Sequence, residues 1–315
     1  MKLVTYEKEN GAAPGVVVGD AVVDVGAALE WAAQLAVLDE TTRPALSTIA
    51  AGGAPPRDMI DLVSRGPDYL AALNLLTSAT ARADASPPGS RTPLAKARLR
   101  APITRPPKIT CVGLNYADHA HEQGIEPPEV PVFFLKSSNT IAGPGDPIRI
   151  PPNTAQPDYE AELAVVIGKG GSRIPRERVW EHVAGYTILN DVTARDMQHG
   201  DQQWFRGKSC DTFAPTGPWI VTREEIPDPH ALAISLTLNG RTMQDSNTSN
   251  LIHKIDFLIS YLSQSLTWEP GDLISTGTPP GVGVFRNPPV FIKAGDEISV
   301  TVERIGTLTN PVTGP

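Results

Sequence analysis

Two cysteines in 315 residues, Cys111 and Cys210, cannot build a disulfide framework, and without CxxC spacing they leave no zinc–cysteine site either. No apolar run is long enough for a transmembrane helix. The opening MKLVTYEKEN lacks the apolar region of a signal peptide. Basic residues are the minority, 27 against 35 acidic, and the resulting net charge of −8 argues against a general nucleic-acid or acidic-membrane binder. The expectation is a cytoplasmic protein with neither nucleic acid nor membrane as partner. Three familiar signatures are missing as well. There is no HExxH for a zinc peptidase. The GKS at 207–209 lacks the glycine that a phosphate-binding loop needs at 202, where Gln202 stands. STGTPPGVGVF lacks GxGxxG and leads into no evident helix, which argues against a dinucleotide site.

What is present is a globular composition. Hydrophobic residues make up 40% and charged residues 20%, enough for a sizeable core in one large domain or two. The 31 prolines and 27 glycines are spread out, which predicts many turns and short strands. Residues 1–82 read as a small α+β domain. PGVVVGDAVVDVG is a hairpin about Gly19-Asp20, and AALEWAAQLAVL and DYLAALNLLTSA read as helices. A proline- and arginine-rich stretch at 83–107 reads as a linker. From Lys108 to the C-terminus, short β-branched runs alternate with Gly-Pro turns. GPGDPIRI, EPGDLIST and KAGDEISV each place a Gly-Asp turn before a strand, and their irregular spacing excludes a solenoid. The fold class is therefore α+β, mostly β, with 108–315 a mixed β-roll or barrel. One helix interrupts it, in SNLIHKIDFLISYLSQ, where Leu251, Ile255, Leu258 and Leu262 share a face. A shorter one starts near Thr193.

The candidate chemistry begins in PDYEAELAVVIG. Glu160 and Glu162 are two apart, so on a strand both carboxylates point to one face. Side by side they repel, and burial disfavours both ionised forms. A hard divalent cation between them would relieve this, with Asp191 at the end of the apolar strand Tyr186–Leu189 as third ligand. The plain alternative is an edge strand with both glutamates in solvent. In GLNYADHAHEQG, His119 and Glu122 are one helical turn apart, which suits a histidine general base oriented by a carboxylate; a solvated charged turn is the alternative. Lys208 could pair with an anionic substrate or lie at the surface. STGTPPGVG could offer backbone N–H groups and the Thr278 hydroxyl to a carboxylate. His182, His199, His230 and His253 have no matching partners and read as structural or exposed.

Taken in order, CVGLNYADHAHE, PVFFLKSSNTIAGPGDPI, DYEAELAVVIG, ILNDVTARDMQ, GKSCDTFAPTGPW and EPGDLISTGTPPGVG resemble the fumarylacetoacetate hydrolase family over residues 106–312. More narrowly, the chain resembles acylpyruvase and 2-hydroxyhepta-diene-dioate isomerase members. The resemblance implies a mixed β-roll catalytic domain, a homodimer, and one Mg²⁺ or Mn²⁺ ion held by Glu160, Glu162 and Asp191. It matches His119 and Glu122 to a water-activating dyad on a lid, taken as residues 119–130. Lys208 and Gln198 match residues that face the substrate and its developing oxyanion, and Arg195 and Thr278 match neighbours lining the site. Asp118 matches a further metal ligand of the founding hydrolase and is left outside the ligand set. The activity implied first is metal-dependent hydrolysis of a C–C bond in a 2,4-dioxo acid of acylpyruvate type, through a metal-stabilised enolate. The alternative is an oxaloacetate-type decarboxylase or keto-enol isomerase or hydratase using the same metal site. A binding protein that kept the fold and lost catalysis is a third class, which the intact triad and dyad argue against. The partner in every enzymatic reading is a small dicarbonyl acid.

Overall fold

The computed structural model describes residues 1–9, 11–34, 43–82 and 89–314. Its centre is the strand Ala161–Ile167, whose seven residues are all buried. Complete burial requires a partner on each edge and a layer on each face. Val183–Asn190 pairs along one edge and Leu273–Ser275 along the other, both antiparallel. The solvated edge-strand alternative for the two glutamates is thereby removed. Leu273–Ser275 continues in parallel to Ile109–Gly113, and that strand to the outer strand Val132–Lys136. On the other side, Val183–Asn190 pairs with Ala214–Thr222.

Alternation splits the side chains of the central strands between two cores. Leu163, Val165, Ile167, Tyr186 and Ile188 face a five-stranded sheet that supplies Ile234, Leu236, Ile298, Val300 and Leu308. Ala164, Val166 and Leu189 face the N-terminal helices, which supply Leu62, Leu70 and Leu73. The two sheets with their bent connections form the expected roll, and the class is α+β, mostly β. The N-terminal hairpin Gly11–Val18 and Ala21–Asp24 forms at Gly19-Asp20 as the sequence indicates. Its neighbour Lys2–Lys8 hydrogen-bonds to Ala214–Thr222, so the large sheet runs on across residues 82 and 108. Within the expected linker, Leu99–Arg100 pairs with Lys2–Lys8; residues 83–88 lie outside the described residues. The first N-terminal helix spans Val25–Gln34, and the rest of AALEWAAQLAVL also lies outside them. The second spans Pro67–Arg82. Among the described residues, no helix is long and apolar enough to cross a membrane.

The three Gly-Asp turns share one construction. Gly145, Gly271 and Gly295 all have φ between 75° and 90°, a region that L side chains avoid. In each, the aspartate's amide donates to the carbonyl three residues earlier, and its carboxylate accepts that residue's N–H. One expected helix is shorter than its periodicity implies. It spans Ile255–Ser263, and Leu251 instead forms a β-bridge with Tyr116. The chain before it is held extended because Asn115 accepts the His253 N–H on its side chain and the Ile252 N–H on its carbonyl.

Gly185, in the middle of Val183–Asn190, has no room for a side chain: a Cβ there would lie against the Val221 carbonyl oxygen and within 2.9 Å of Ile220. Gly200, at the end of the short helix Arg195–Gly200, has nothing within 4 Å of that position. Gly185→Ala should lower stability to urea by ~1–3 kcal/mol through overpacking, whereas Gly200→Ala should be neutral or stabilise by up to ~1 kcal/mol. Equal effects in urea titrations would show that strand approach at Gly185 is not the constraint described.

Candidate active site

The antiparallel register places Ala161 opposite Asn190. The residue before one strand and the residue after the other, Glu160 and Asp191, therefore lie together. The Asp191 N–H donates to the Glu160 carbonyl at 2.9 Å, and the Glu160 N–H donates to Asn190 Oδ1 at 3.0 Å. Glu160 thus sits one residue ahead of the paired strand rather than within it, and Glu162 is the second residue of that strand. All three side chains are buried, and one oxygen from each lies within 4.8 Å of the others. Asp118 is held elsewhere, by Ser246 Oγ at 2.6 Å and Asn250 Nδ2 at 2.9 Å.

Three buried cations surround the triad. Lys208 Nζ bridges Glu160 Oε2 and Asp191 Oδ2, at 2.8 Å to each. Lys136 Nζ stands 2.6 Å from the other Asp191 oxygen and donates to the Val192 carbonyl at 3.0 Å. Arg195 lies 2.7 Å from Glu160 Oε1 and 2.8 Å from Asp158. Burial alone would raise Glu160, but Lys208 and Arg195 outweigh it and bring its pKa down to about 2. Burial would likewise push Lys208 down, yet Asp191 and Glu160 outweigh it and hold the ammonium charged with a raised pKa. Among the described residues, Glu162 has no such ion-pair partner. Burial, then Asp191 and Glu160, push it well above the ordinary carboxylate range. Its hydrogen bonds, from Ser275 Oγ at 2.6 Å and Gly277 N at 2.8 Å, both fall on Oε2.

Four buried carboxylates (Asp158, Glu160, Glu162, Asp191) thus face three buried cations (Lys136, Lys208, Arg195), which leaves one negative charge uncompensated when all are ionised. A divalent ion on the triad would turn that into one positive charge. The donor set fits such an ion: hard oxygens only, all close together, with Glu162 raised by the like charges that the ion would neutralise.

The second cluster lies on the short helix Ala117–Glu122. His119 Nδ1 and Glu122 Oε2 are 2.8 Å apart, and Glu122 Oε1 accepts the Gly281 N–H at 2.9 Å. Gln123 Nε2 lies 2.8 Å from His119 Nε2. An amide nitrogen can only donate, and so can the Nδ1–H that faces a carboxylate. The network therefore assigns the proton to Nδ1 and the lone pair to Nε2. The Phe285 ring packs against the imidazole, with centroids 5.9 Å apart.

Both clusters open onto one cavity of about 140 Å³. His119, Glu160, Glu162, Arg195, Gln198, Lys208 and Thr278 all line it. Glu122 stands behind His119, and Asp191 behind Lys208. Arg195 Nη1 donates to Gln198 Oε1 at 3.0 Å, while Nη2, close to Glu160 but off the hydrogen-bonding direction, is buried without an acceptor. Thr278 Oγ1 donates to the Ala161 carbonyl and accepts from Gln244. Several lining or supporting residues escaped the sequence reading. His199, read as structural or exposed, lines the cavity while remaining exposed. Gln123 gave no signal beyond its place after the dyad. Lys136 ends the apolar run VFFLK, where a lysine is ordinarily solvated, yet it is 3% exposed.

Residues 108–313 match the family described as fumarylacetoacetate (FAA) hydrolase C-terminal. The mitochondrial oxaloacetate tautomerase fahd2 of Xenopus laevis is 50% identical over 216 residues, 68% of each chain. The oxaloacetate tautomerase YisK of Bacillus subtilis is 42% identical over 261 residues, 82% of this chain and 87% of its own. Among solved structures, maleylpyruvate hydrolase of Sphingobium sp. SYK-6, in complex with manganese(II) and pyruvate, is 30% identical. It superposes with a TM-score of 0.73 over 100% of this chain and 99% of that one.

If the triad holds a divalent ion, Mn²⁺ should raise the melting temperature of the wild-type protein. Glu160→Gln and Asp191→Asn should each abolish that rise, while Glu122→Gln should keep it, since Glu122 bonds to His119 and Gly281 rather than to the triad. A rise that persists in either triad variant would show the ion to bind elsewhere.

Proposed function

This chain belongs to the fumarylacetoacetate hydrolase family, and on that premise we propose that it is a divalent-metal-dependent enzyme interconverting the keto and enol forms of a small 2-oxo dicarboxylate of oxaloacetate type. The observation that carries the reading is the His119–Glu122 dyad opening, with the carboxylate triad, onto one cavity, in a chain 50% identical over 216 residues to an oxaloacetate tautomerase. The comparisons favour this alternative over the C–C hydrolase implied first by the sequence. Hydrolysis remains the second reading because a maleylpyruvate hydrolase shares the fold at 30% identity.

Glu160, Glu162 and Asp191 would hold Mg²⁺ or Mn²⁺, which when bound supplies a Lewis acid beside the 2-oxo group. The Arg195 guanidinium, held by Asp158 and Glu160, and the Gln198 amide hold a substrate carboxylate. Once the Gln123 amide that donates to it turns aside, His119 Nε2 takes the C3 proton as general base and then returns it to the 2-oxygen, which completes the enol. Glu122 accepts the Nδ1–H and so stabilises the imidazolium that results. Lys208 stands where negative charge develops on the oxygen; a fixed donor of this kind contributes typically ~2.7–4 kcal/mol. Thr278 and Lys136 act behind these groups, Thr278 by bonding the Ala161 carbonyl and Lys136 by fixing Asp191. The short helix Ala117–Glu122 carries the dyad to the edge of the cavity. The homodimer and cytoplasmic location implied by the sequence belong to the same proposal.

The protein with Mn²⁺ should accelerate the decay of enol-oxaloacetate absorbance above a metal-only control. His119→Ala should reduce that acceleration by roughly 10²–10⁴-fold, the usual range for general base catalysis. No acceleration in the wild type, together with turnover of an acylpyruvate, would replace this reading by the hydrolase.

A further inference from the structure

Asp158 is neither a member of the triad nor part of the dyad, yet its fully buried carboxylate holds both halves of the site. Oδ2 accepts from Arg195 Nε at 2.8 Å and from the Val284 N–H at 3.0 Å. Oδ1 accepts from the Gly283 N–H at 2.7 Å and from its neighbour Tyr159 N–H at 2.8 Å. Gly283 is required for this approach, because a Cβ there would come within 2.6 Å of Oδ1.

The two groups that Asp158 joins do different work. Arg195 is the substrate arm. Residues 281–286 are the seat of the lid: the Gly281 N–H holds Glu122, and the Phe285 ring packs on His119. The same segment is braced from its other side by Arg286. That side chain donates to the Gly281 carbonyl at 3.1 Å and to Tyr159 Oη at 3.3 Å, and also reaches the Met243 carbonyl. Arg286 faces no carboxylate among the described residues, so its part is to hold backbone.

We propose that Asp158 is a positioning residue that couples substrate capture to lid seating, one carboxylate fixing both Arg195 and the segment whose Gly281 amide latches the dyad. The proposal rests on the reading in which Arg195 holds a substrate carboxylate and His119–Glu122 is the base. A merely structural Asp158 would lower stability alone. A coupling Asp158 predicts a specific division of effects among three variants.

The experiment pairs calorimetric titration of oxalate in the presence of Mn²⁺ with hydrogen–deuterium exchange of residues 117–125 at saturating oxalate. In the wild type, oxalate should bind and slow exchange in that segment. Arg195→Gln should weaken oxalate at least about tenfold, the scale of a lost charged hydrogen bond, and keep lid protection once saturated. Arg286→Gln should lose lid protection by about tenfold or more, and weaken oxalate by no more than that loss accounts for. Asp158→Asn, which places an amide donor among donors, should lose both. Asp158→Asn matching the wild type, or only one of the two arms, would overturn the proposal. If near-ultraviolet dichroism shows Asp158→Asn unfolded, Arg286→Gln decides: lost protection supports the latch, and unchanged protection overturns it. A wild type that binds no oxalate would count against the functional reading instead. The latch is then read from ligand-free exchange of the same variants.

Discussion

The structure depends on burying Glu160, Glu162 and Asp191 together in a low-dielectric interior. Uncompensated, such a cluster would be strongly unfavourable, because each carboxylate loses water and repels the others. Lys208 and Lys136 offset this at Asp191, and Lys208 and Arg195 at Glu160. Among the described residues, Glu162 receives only a serine hydroxyl and a backbone amide, both neutral. The residual charge is therefore concentrated on one carboxylate. That arrangement is weak as a stabilising device, since buried ion pairs seldom repay their desolvation. It makes sense as a receptor for a dication.

The rest of the fold can be ordered around that cluster. The central strand must be paired on both edges so that its backbone is satisfied while its first residues hold acids. Antiparallel pairing then sets Glu160 beside Asp191 with no loop between them, on rigid elements rather than flexible ones. The dyad, by contrast, sits on a helix of six residues held by Asp118's bonds to Ser246 and Asn250, Glu122's bond to Gly281 and His119's contact with Phe285. A rigid charged floor beneath a separately held helix is the division expected of a site that admits a small ligand and then encloses it.

The sequence made the floor legible because its elements are local. Glu160 and Glu162 lie two apart and Asp191 follows an apolar strand. His119 and Glu122 are one turn apart. The wider order of six motifs indicated the fold. It left Lys136 and Asp158 hidden for different reasons. Lys136 is a lysine whose burial is decided by Asp191, 55 positions away, and no spacing reports that. Asp158 did leave a signal, since Asp158, Glu160 and Glu162 continue one period of two in PDYEAE; its partners Gly283 and Val284 lie more than 120 positions on. The helix expected from Leu251 begins only at Ile255 because Asn115, from a distant loop, claims the backbone between them. Each gap is a long-range contact overriding a local pattern.

The central claim is that this site moves a proton at the carbon next to a 2-oxo group without breaking a carbon–carbon bond. Proton NMR of oxaloacetate in D₂O with the Mg²⁺-loaded protein tests it most directly, by following loss of the C3 methylene signal and appearance of pyruvate in the same tube. The account predicts deuterium entry at C3 well above a metal-only control, with pyruvate accumulating no faster than in that control. Pyruvate rising in step with C3 exchange, or exchange no faster than the control, would contradict it.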